Sequence, residues 1–493
     1  MSLTVDHATE HKIRRLERGC EARVLDLFAG CGGFSLGFQS AGFTLLGAVE
    51  CDYAAARTHA SNLLPEHTAR GLDIKDVDPD SLANSYWGGD PKENVDIIVG
   101  GPPCQTFARI GRAKLRSESR READWLDRAS LYSQYLRFVE RLRPLVIVFE
   151  NVPDVLNYRG GNIASLICEE LEKLDYAASC TLLNSVFYGV PQLRERLYLV
   201  AYHRSLACRV SWPQRTHRFD LPNGYEDIRA HARRRERGRP SENDPLDEDS
   251  LEHTGTCLDA VSAREALEDL PSLDAVKMLE QRRWDQRTSL ERPYNKLPAS
   301  SSYGALMRNW PGFETHREVT AHVTRRLPRD FRIFEQMAPG DQYPRAHTIA
   351  ETLWGKELKS KALEGDALLE GSPEWTATRK AFVPPYSPKK FPNKWRKMDP
   401  DAPSRTLMAH LSHDGYSHIH FDSSQARTIT VREAARLQSF PDGFKFECSM
   451  NEAFKQIGNA VPPLLSYALA REIRRTIGME SLPDIRLMNT HKS

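Results

Sequence analysis

No apolar run in this chain approaches the roughly 20 residues that a membrane-spanning helix needs. Its nine cysteines (Cys20, Cys31, Cys51, Cys104, Cys168, Cys180, Cys208, Cys257 and Cys448) include no Cys-x-x-Cys pair, so no metal site of that kind is expected. An odd, dispersed set suits a reducing compartment better than a disulfide framework. An excess of one charge is missing too: 68 Lys and Arg face 67 Asp and Glu, a formal net charge of +1. Global charge therefore announces no nucleic-acid partner. A surface for one would be a local patch balanced by acid elsewhere. Met1 to Arg18 carry charges throughout and have no apolar core, so no secretory signal is read there. The expectation is a cytoplasmic protein with no membrane contact. Internal repeats are also lacking.

What is present is a globular composition, 493 residues with 40% hydrophobic and 27% charged, long enough to favour two domains. One stretch stands out, Gly100-Gly101-Pro102-Pro103-Cys104-Gln105. The β-branched run before it, Val95 to Val99, reads as a buried strand. Two glycines and two prolines stop that strand. Cys104 then falls at a strand's carboxyl end, where open α/β sheets bind ligands. A thiol on a stiff turn is a candidate nucleophile once ionised. The alternative is a small buried residue after a tight turn.

Upstream, Arg23 to Phe28 reads as a strand, Ala29 to Gly33 as a glycine-rich turn, and Phe34 to Ala41 as a helix. That is a nucleotide cradle, since glycines let the backbone approach a ligand. It is not a clean G-x-G-x-x-G: Ser35 stands where the third glycine would be. A strand from Thr44 to Val49 ends in Glu50, placed to hold ribose hydroxyls. Gly71 to Ile74 offers a further acid, Asp73, at a strand end, which makes the strand before Cys104 the fourth. Arg109 to Arg128 is a charge-dense loop long enough to be a lid. Leu131 to Leu142 is an amphipathic helix. Leu145 to Phe149, the most apolar strand, ends in Glu150, whose desolvation would let it carry a proton near neutral pH. A helix from Gly161 to Asp175 and strands from Ala177 to Asn184 and Leu197 to Tyr202 follow. Arg194 and Arg196, just before the last strand, suit contact with anions or bases. The alternation predicts an α/β fold, a Rossmann-like doubly wound, mostly parallel sheet.

Together these motifs resemble those of the DNA (cytosine-5)-methyltransferase family. The matching segments, in order, are Asp26 to Gly33, Gly101 to Gln105, Glu150 to Val152, Gln192 to Arg196, Arg427 to Pro441 and Gln456 to Pro463. The resemblance implies S-adenosylmethionine as cofactor and methyl donor, S-adenosylhomocysteine as product, and double-stranded DNA as substrate. It implies that Cys104 adds to C6 of a flipped-out cytosine, that Glu150 bonds or protonates N3, and that Arg194 and Arg196 complete the catalytic set. Phe28 would pack on the adenine, Glu50 hold the ribose, and Asp73 with Ile74 meet the adenine edge. Gly30, Gly32 and Asn459 would line the methionine end, with Pro102 and Val461 also at the cofactor. The pattern departs after Phe107, where Ala108-Arg109 replace the usual serine.

By the same likeness, residues 1–22 are a leader and 23–275 the catalytic domain, with a charged insertion at 215–255. The basic run Arg229 to Arg239 and the acids of Glu242 to Glu252 read as a solvated insertion or as DNA-backbone contact. Residues 276–395 would be a smaller, irregular target recognition domain. It holds Arg282, Arg283, Trp284, Arg287, Tyr303, Arg308, Trp310, His316, Arg325, Arg326, Arg329 and Arg332, any of which could read bases or serve structure. Residues 396–480 would return to the catalytic domain, and 481–493 would be a tail. A monomer on DNA, with a cognate restriction or defence system as companion, is the expected setting. An RNA-directed enzyme and a silent DNA-binding scaffold are the alternatives.

Overall fold

A computed structural model of the chain describes residues 6–67, 69–86, 88–103, 131–157, 162–222 and 257–487. Cys104, the loop from Arg109 to Arg128 and the runs 229–239 and 242–252 lie outside these residues. Two compact units emerge. The first comprises Met1–Ala260, Gln438–Phe440 and Asn459–Ser493, and the second Val261–Leu437 with Pro441–Gly458. The sequence placed boundaries at 275/276 and 395/396, whereas the compact units part at 260/261, 437/438, 440/441 and 458/459. Among the described residues no helix is long and apolar enough to cross a membrane.

The first unit holds α1 (His7–Glu17), β1 (Arg23–Leu27), α2 (Gly33–Ser40), β2 (Thr44–Val49), α3 (Tyr53–Leu63) and β3 (Ile97–Gly100). After these come α4 (Leu131–Leu142), β4 (Val146–Asn151), α5 (Ile163–Lys173), β5 (Tyr176–Asn184), β6 (Glu195–His203) and a closing helix, α6 (Pro463–Thr476). The six strands form one sheet in the order β2-β1-β3-β4-β6-β5. β1 pairs parallel with β2 and β3, and β3 with β4. β6 runs antiparallel between β4 and β5. The central strands read as continuous apolar runs because helices cover both faces. Val24, Ile97, Ile98, Val146, Ile147 and Leu199 are wholly buried.

Two expectations are corrected. Gly71 to Ile74 is not a strand: its backbone bonds are Leu72 N–H to the Glu50 carbonyl at 2.7 Å and a turn in which Asp76 N–H donates to the Asp73 carbonyl at 2.9 Å, with no ladder. Leu72 alternates with too few apolar residues to build one. The strand before Cys104 is therefore the third, not the fourth. Glu150 also lies inside β4 rather than beyond it, because β6 extends the pairing to Glu150–Tyr198 and Asn151–Leu197.

Within the leader, His7–Glu17 is a folded helix, α1. Asp6 caps α1 by accepting from Thr9 N–H at 2.8 Å. Lys12 is buried and donates to the carbonyls of Arg143 (2.6 Å), Leu142 (3.3 Å) and Val95 (3.3 Å). Its ammonium thus sits on the last carbonyls of α4, the favourable end of a helix dipole for a cation. Burial lowers its pKa to about 8. Arg15 pairs with the buried Asp96.

In the second unit Phe331, Phe334, Tyr343, Ile349 and Trp395 form an aromatic-rich core. Helices Tyr343–Leu363 and Pro373–Phe382 belong to this unit. Its charges are deeply paired: Arg427 grips Glu433 with two bonds of 2.7 Å, and Arg436 bridges Asp269 and Asp442. Such pairs are costly to bury and costlier to break.

Candidate active site

The turn between β1 and α2 is shaped by backbone conformations that few residues adopt. Gly30 and Gly32 have φ of 55° and 103°, and Phe28 has φ of 59°, an outlier for a bulky side chain. Strain of this kind persists where the surroundings impose it, and it clusters at ligand sites. Glu50 holds the turn from the side: one carboxylate oxygen accepts from Gly30 N–H at 2.9 Å, the other from Asp52 N–H at 2.8 Å. Asp52 in turn caps α3. Behind the turn, a Cβ on Gly33 would lie 2.0 Å from the Val461 carbonyl oxygen, so only glycine allows that approach. This contact brings Val461 to the turn, while Asn459 is exposed nearby in sequence. Asp73 is exposed and its carboxylate accepts from Lys75 N–H at 3.0 Å. The Ile74 side chain is committed to the sheet core.

A second group gathers at the ends of β3, β4 and β6. Side chains alternate along strands, and Glu150 faces Tyr198, two residues from Arg196. Glu150 and Arg196 therefore share a face, with Arg196 Nε 3.3 Å from Glu150 Oε1. Their side chains keep only 12% and 16% of their surface exposed. Desolvation raises the Glu150 pKa against the opposing pull of Arg196 and Arg194. Arg194 is buried, and desolvation with the nearby Arg196 charge lowers its pKa to about 9.

The arm that leads to Cys104 passes directly over this carboxylate. A Cβ on Gly101 would sit 3.0 Å from Glu150 Oε2. The Asn151 amide donates to the Pro102 carbonyl at 2.8 Å. Sequence reasoning quoted Asn151 without a role. Its signal in the sequence was slight: a side-chain donor at a strand end, two residues before Pro153. A second unforeseen link is the buried chain from Gln192 through Gln438 to the Ala460 carbonyl, with both bonds 2.5 Å. It ties the turn before β6 to the segment before α6.

The family pattern of the C-5 cytosine-specific DNA methylases matches residues 22–475. The chain belongs to this family. It is a DNA cytosine-5 methyltransferase of the type II restriction–modification kind. M.OihORF3336P of Oceanobacillus iheyensis, provisionally named a type II methyltransferase, is 39% identical over 461 residues, covering 92% of this chain and 95% of its own. The type II methyltransferase M.AgeI of Thalassovita gelatinovora is 31% identical over 478 residues, covering 92% and 100%. A crystal structure provisionally titled a prophage DNA modification methyltransferase of E. coli shares the fold, with a TM-score of 0.58 at 21% identity, covering 93% of this chain and 99% of that one.

In this methylase a cavity of about 800 Å³ lies away from both groups, lined by Val210 to Gln214 and the α6 arginines. Asp484 and Glu472 already engage Arg471, Arg486 and Arg475 there. The second unit sorts its sequence candidates. Tyr303, Arg308 and Trp310 are buried. Arg287 pairs with Asp285, Arg329 with Asp330, and Arg325 donates to the Leu411 and Ser412 carbonyls. Arg282, Arg283, Arg326 and Arg332 are exposed.

Proposed function

We propose that the chain transfers a methyl group from S-adenosylmethionine to C5 of a cytosine flipped out of a specific double-stranded DNA site, through a covalent bond between Cys104 and C6. The residues of the glycine turn fit such a cofactor. The positive-φ glycines open the backbone, and Glu50 keeps lone pairs for ribose hydroxyls after accepting two amides. Phe28, Gly30, Gly32, Glu50, Asp73, Ile74, Pro102, Asn459 and Val461 would hold it; the group supplies an electrophilic methyl.

The chain's own residues do the rest. C5 of cytosine is a weak nucleophile. Addition of the Cys104 thiolate to C6 makes C5 enamine-like, and C5 then takes the methyl. Glu150 offers a proton or hydrogen bond to N3 and so stabilises the adduct; its raised pKa suits that role. Arg196 keeps Glu150 oriented, and Arg194 backs the pair with charge. A base then takes the C5 proton, and the electron pair of that C–H bond re-forms the C5–C6 double bond as the Cys104 thiolate leaves. Flipping the base costs about a few kcal/mol of stacking and pairing. We assign base reading to residues 276–395, with the exposed Arg282, Arg283, Arg326 and Arg332 as first candidates. The protein acts as a monomer on DNA and protects it from a companion nuclease.

One observation carries this reading: the Gly101–Pro103 arm, whose next residue is Cys104, is fixed against Glu150 and Asn151. The test is sequencing of 5-methylcytosine in DNA from a methylation-free host expressing the chain. Methylation at one short motif, lost with Cys104→Ala, is expected. Retained methylation in that variant refutes the adduct. Methylation found only in RNA overturns the DNA substrate.

A further inference from the structure

Ser35 interrupts the glycine pattern of the cofactor turn, and the structure gives it a use. Its hydroxyl lies 2.6 Å from Asp26 Oδ2 and 2.9 Å from His59 Nε2. All three side chains are buried, Asp26 and Ser35 completely. Asp26 comes from β1, Ser35 from the first turn of α2 and His59 from α3, so the chain of bonds joins the three elements that frame the glycine turn. The α2 N-cap is Gly32, which has no side chain to offer and makes no capping bond. Asp26 supplies what is missing, because Ser35 meets it with its backbone N–H as well as its hydroxyl. A carboxylate there also complements the helix N-terminus. The His59 ring forms the wall beside Gly32, where a Cβ would come within 3.0 Å of it. Beyond the ring lies a cavity of about 30 Å³, bounded also by Glu50, His67 and Arg70. That is room for one water.

We propose that Asp26 is a positioning residue for the cofactor turn: its carboxylate, acting through Ser35 and His59, holds Gly30–Gly33 in the shape that grips S-adenosylmethionine. The proposal rests on the reading that this turn binds that cofactor. Ser35 has a single hydroxyl proton, so the direction of the chain depends on the charge of Asp26. With Asp26 ionised, Ser35 donates to it and His59 donates from Nε2. When Asp26 takes a proton from solvent, it can donate to Ser35, Ser35 can donate to His59 Nε2, and the ring proton moves to Nδ1. The capping carboxylate is then neutral and the first turn of α2 loses its anchor.

The surroundings poise this change near neutrality. Desolvation first, and the Glu50 charge last, raise the Asp26 pKa to about 7 against the Ser35 bonds. Asp26 Oδ1 has no partner among the described residues. The other titratable groups around it are His59, kept neutral by burial with its pKa lowered to about 4, and Tyr135 from α4, whose hydroxyl donates to the carbonyls of Val148 and Ile98. His67 faces His59 from beyond α3.

The experiment is calorimetric titration of the full chain with S-adenosylmethionine between pH 6 and pH 8. A single site titrating at about 7 makes binding about tenfold weaker at pH 6 than at pH 8. Asp26→Asn should bind weakly at both pH values, without the step. Ser35→Ala should bind less tightly than the parent while keeping its fold by circular dichroism. If Asp26→Asn does not fold, ring ¹⁵N shifts of His59 in the unaltered protein decide. They should change from the Nε2–H to the Nδ1–H pattern as pH falls through the same range, a response that mere packing would not give. A flat affinity profile with tight binding, an Asp26→Asn protein that binds as well as its parent, or an unchanging His59 tautomer overturns the proposal and leaves the cofactor reading standing. A folded protein that binds DNA but no S-adenosylmethionine at either pH overturns the cofactor reading, and this proposal with it.

Discussion

Replacing Gly37 by alanine should destabilise the first unit even though alanine is the better helix former. Gly37 lies in α2, where it meets α6. A Cβ there would come 2.4 Å from both Cβ and Oγ of Ser466 and 2.6 Å from the Tyr467 backbone nitrogen. Carbon atoms pack at about 3.5–4.0 Å, so the helices must part by about 1 Å. Two of the three obstacles are Cβ or backbone and cannot rotate away. Parting also strains the bond from Ser466 Oγ to the Phe34 carbonyl, 2.9 Å long. Overpacking of this kind costs about 1–3 kcal/mol, against a propensity gain of about 0.5–1 kcal/mol. At mid-range the net loss is about 1 kcal/mol, or roughly 2–4 °C in melting temperature for a unit of this size. Gly355 is the internal control. It sits in the helix Tyr343–Leu363 with nothing within 4 Å of its Cβ position. Gly355→Ala should stabilise the second unit by about 0.5–1 kcal/mol. The assay is scanning calorimetry of both variants, following the transition of the unit that carries each change. A Gly37→Ala protein as stable as its parent would show that α2 and α6 do not approach as described.

Other expectations follow from the buried charges. Glu150→Gln should lower turnover by about 10²–10⁴-fold, the range for a lost general acid, measured as methyl transfer to duplex DNA. Desolvation raises the folded pKa of Glu150 above the unfolded value of 4.5, so the stability it contributes is present below 4.5 and lost as pH rises through the folded value. The glutamine variant should therefore melt with the parent at pH 4 and above it at pH 8; a lower melting temperature at pH 8 would contradict the desolvation argument. Arg427→Met should cost the second unit about 3–5 kcal/mol by leaving Glu433 buried without its guanidinium. Arg427 and other cations outweigh desolvation and hold the Glu433 pKa below its usual value, so this pair's stability is present above the unfolded pKa and lost on acidification. Denaturant titration should show the gap between Arg427→Met and its parent narrowing as pH falls, and a constant gap would argue against ion pairing as the cause.

The central strands and helices were legible because burial on both faces leaves an unmixed signal. Thr44–Val49 and Leu131–Leu142 fall where apolar pattern and glycine or proline punctuation place them. Gly71 to Ile74 misled because an acid beside an isoleucine looks like a strand end, although strand formation needs a partner ladder that local sequence does not reveal. The docking of α1 was illegible for a related reason. Lys12 is polar in sequence and buried in space, and only the free carbonyls at the end of α4 explain it. Several arginines of 276–395 looked equivalent until Asp269, Asp285 and Asp330 claimed some of them.

The sequence by itself carried the family and the reaction class, and it singled out candidates for the reactive groups, because those signals reside in short segments whose chemistry is local: a cysteine after two prolines, an acid after an apolar strand, glycines after another. Tertiary structure alone decided how those groups meet. Pairing β3 with β4 and β4 with β6 set the Gly101–Pro103 arm on Glu150 and put Arg196 on the same face. Folding α2 and α3 around β1 joined Asp26, Ser35 and His59, residues with no pattern linking them along the chain. Hydrogen bonds and desolvation act over a few ångströms of space, and a linear sequence does not carry that distance.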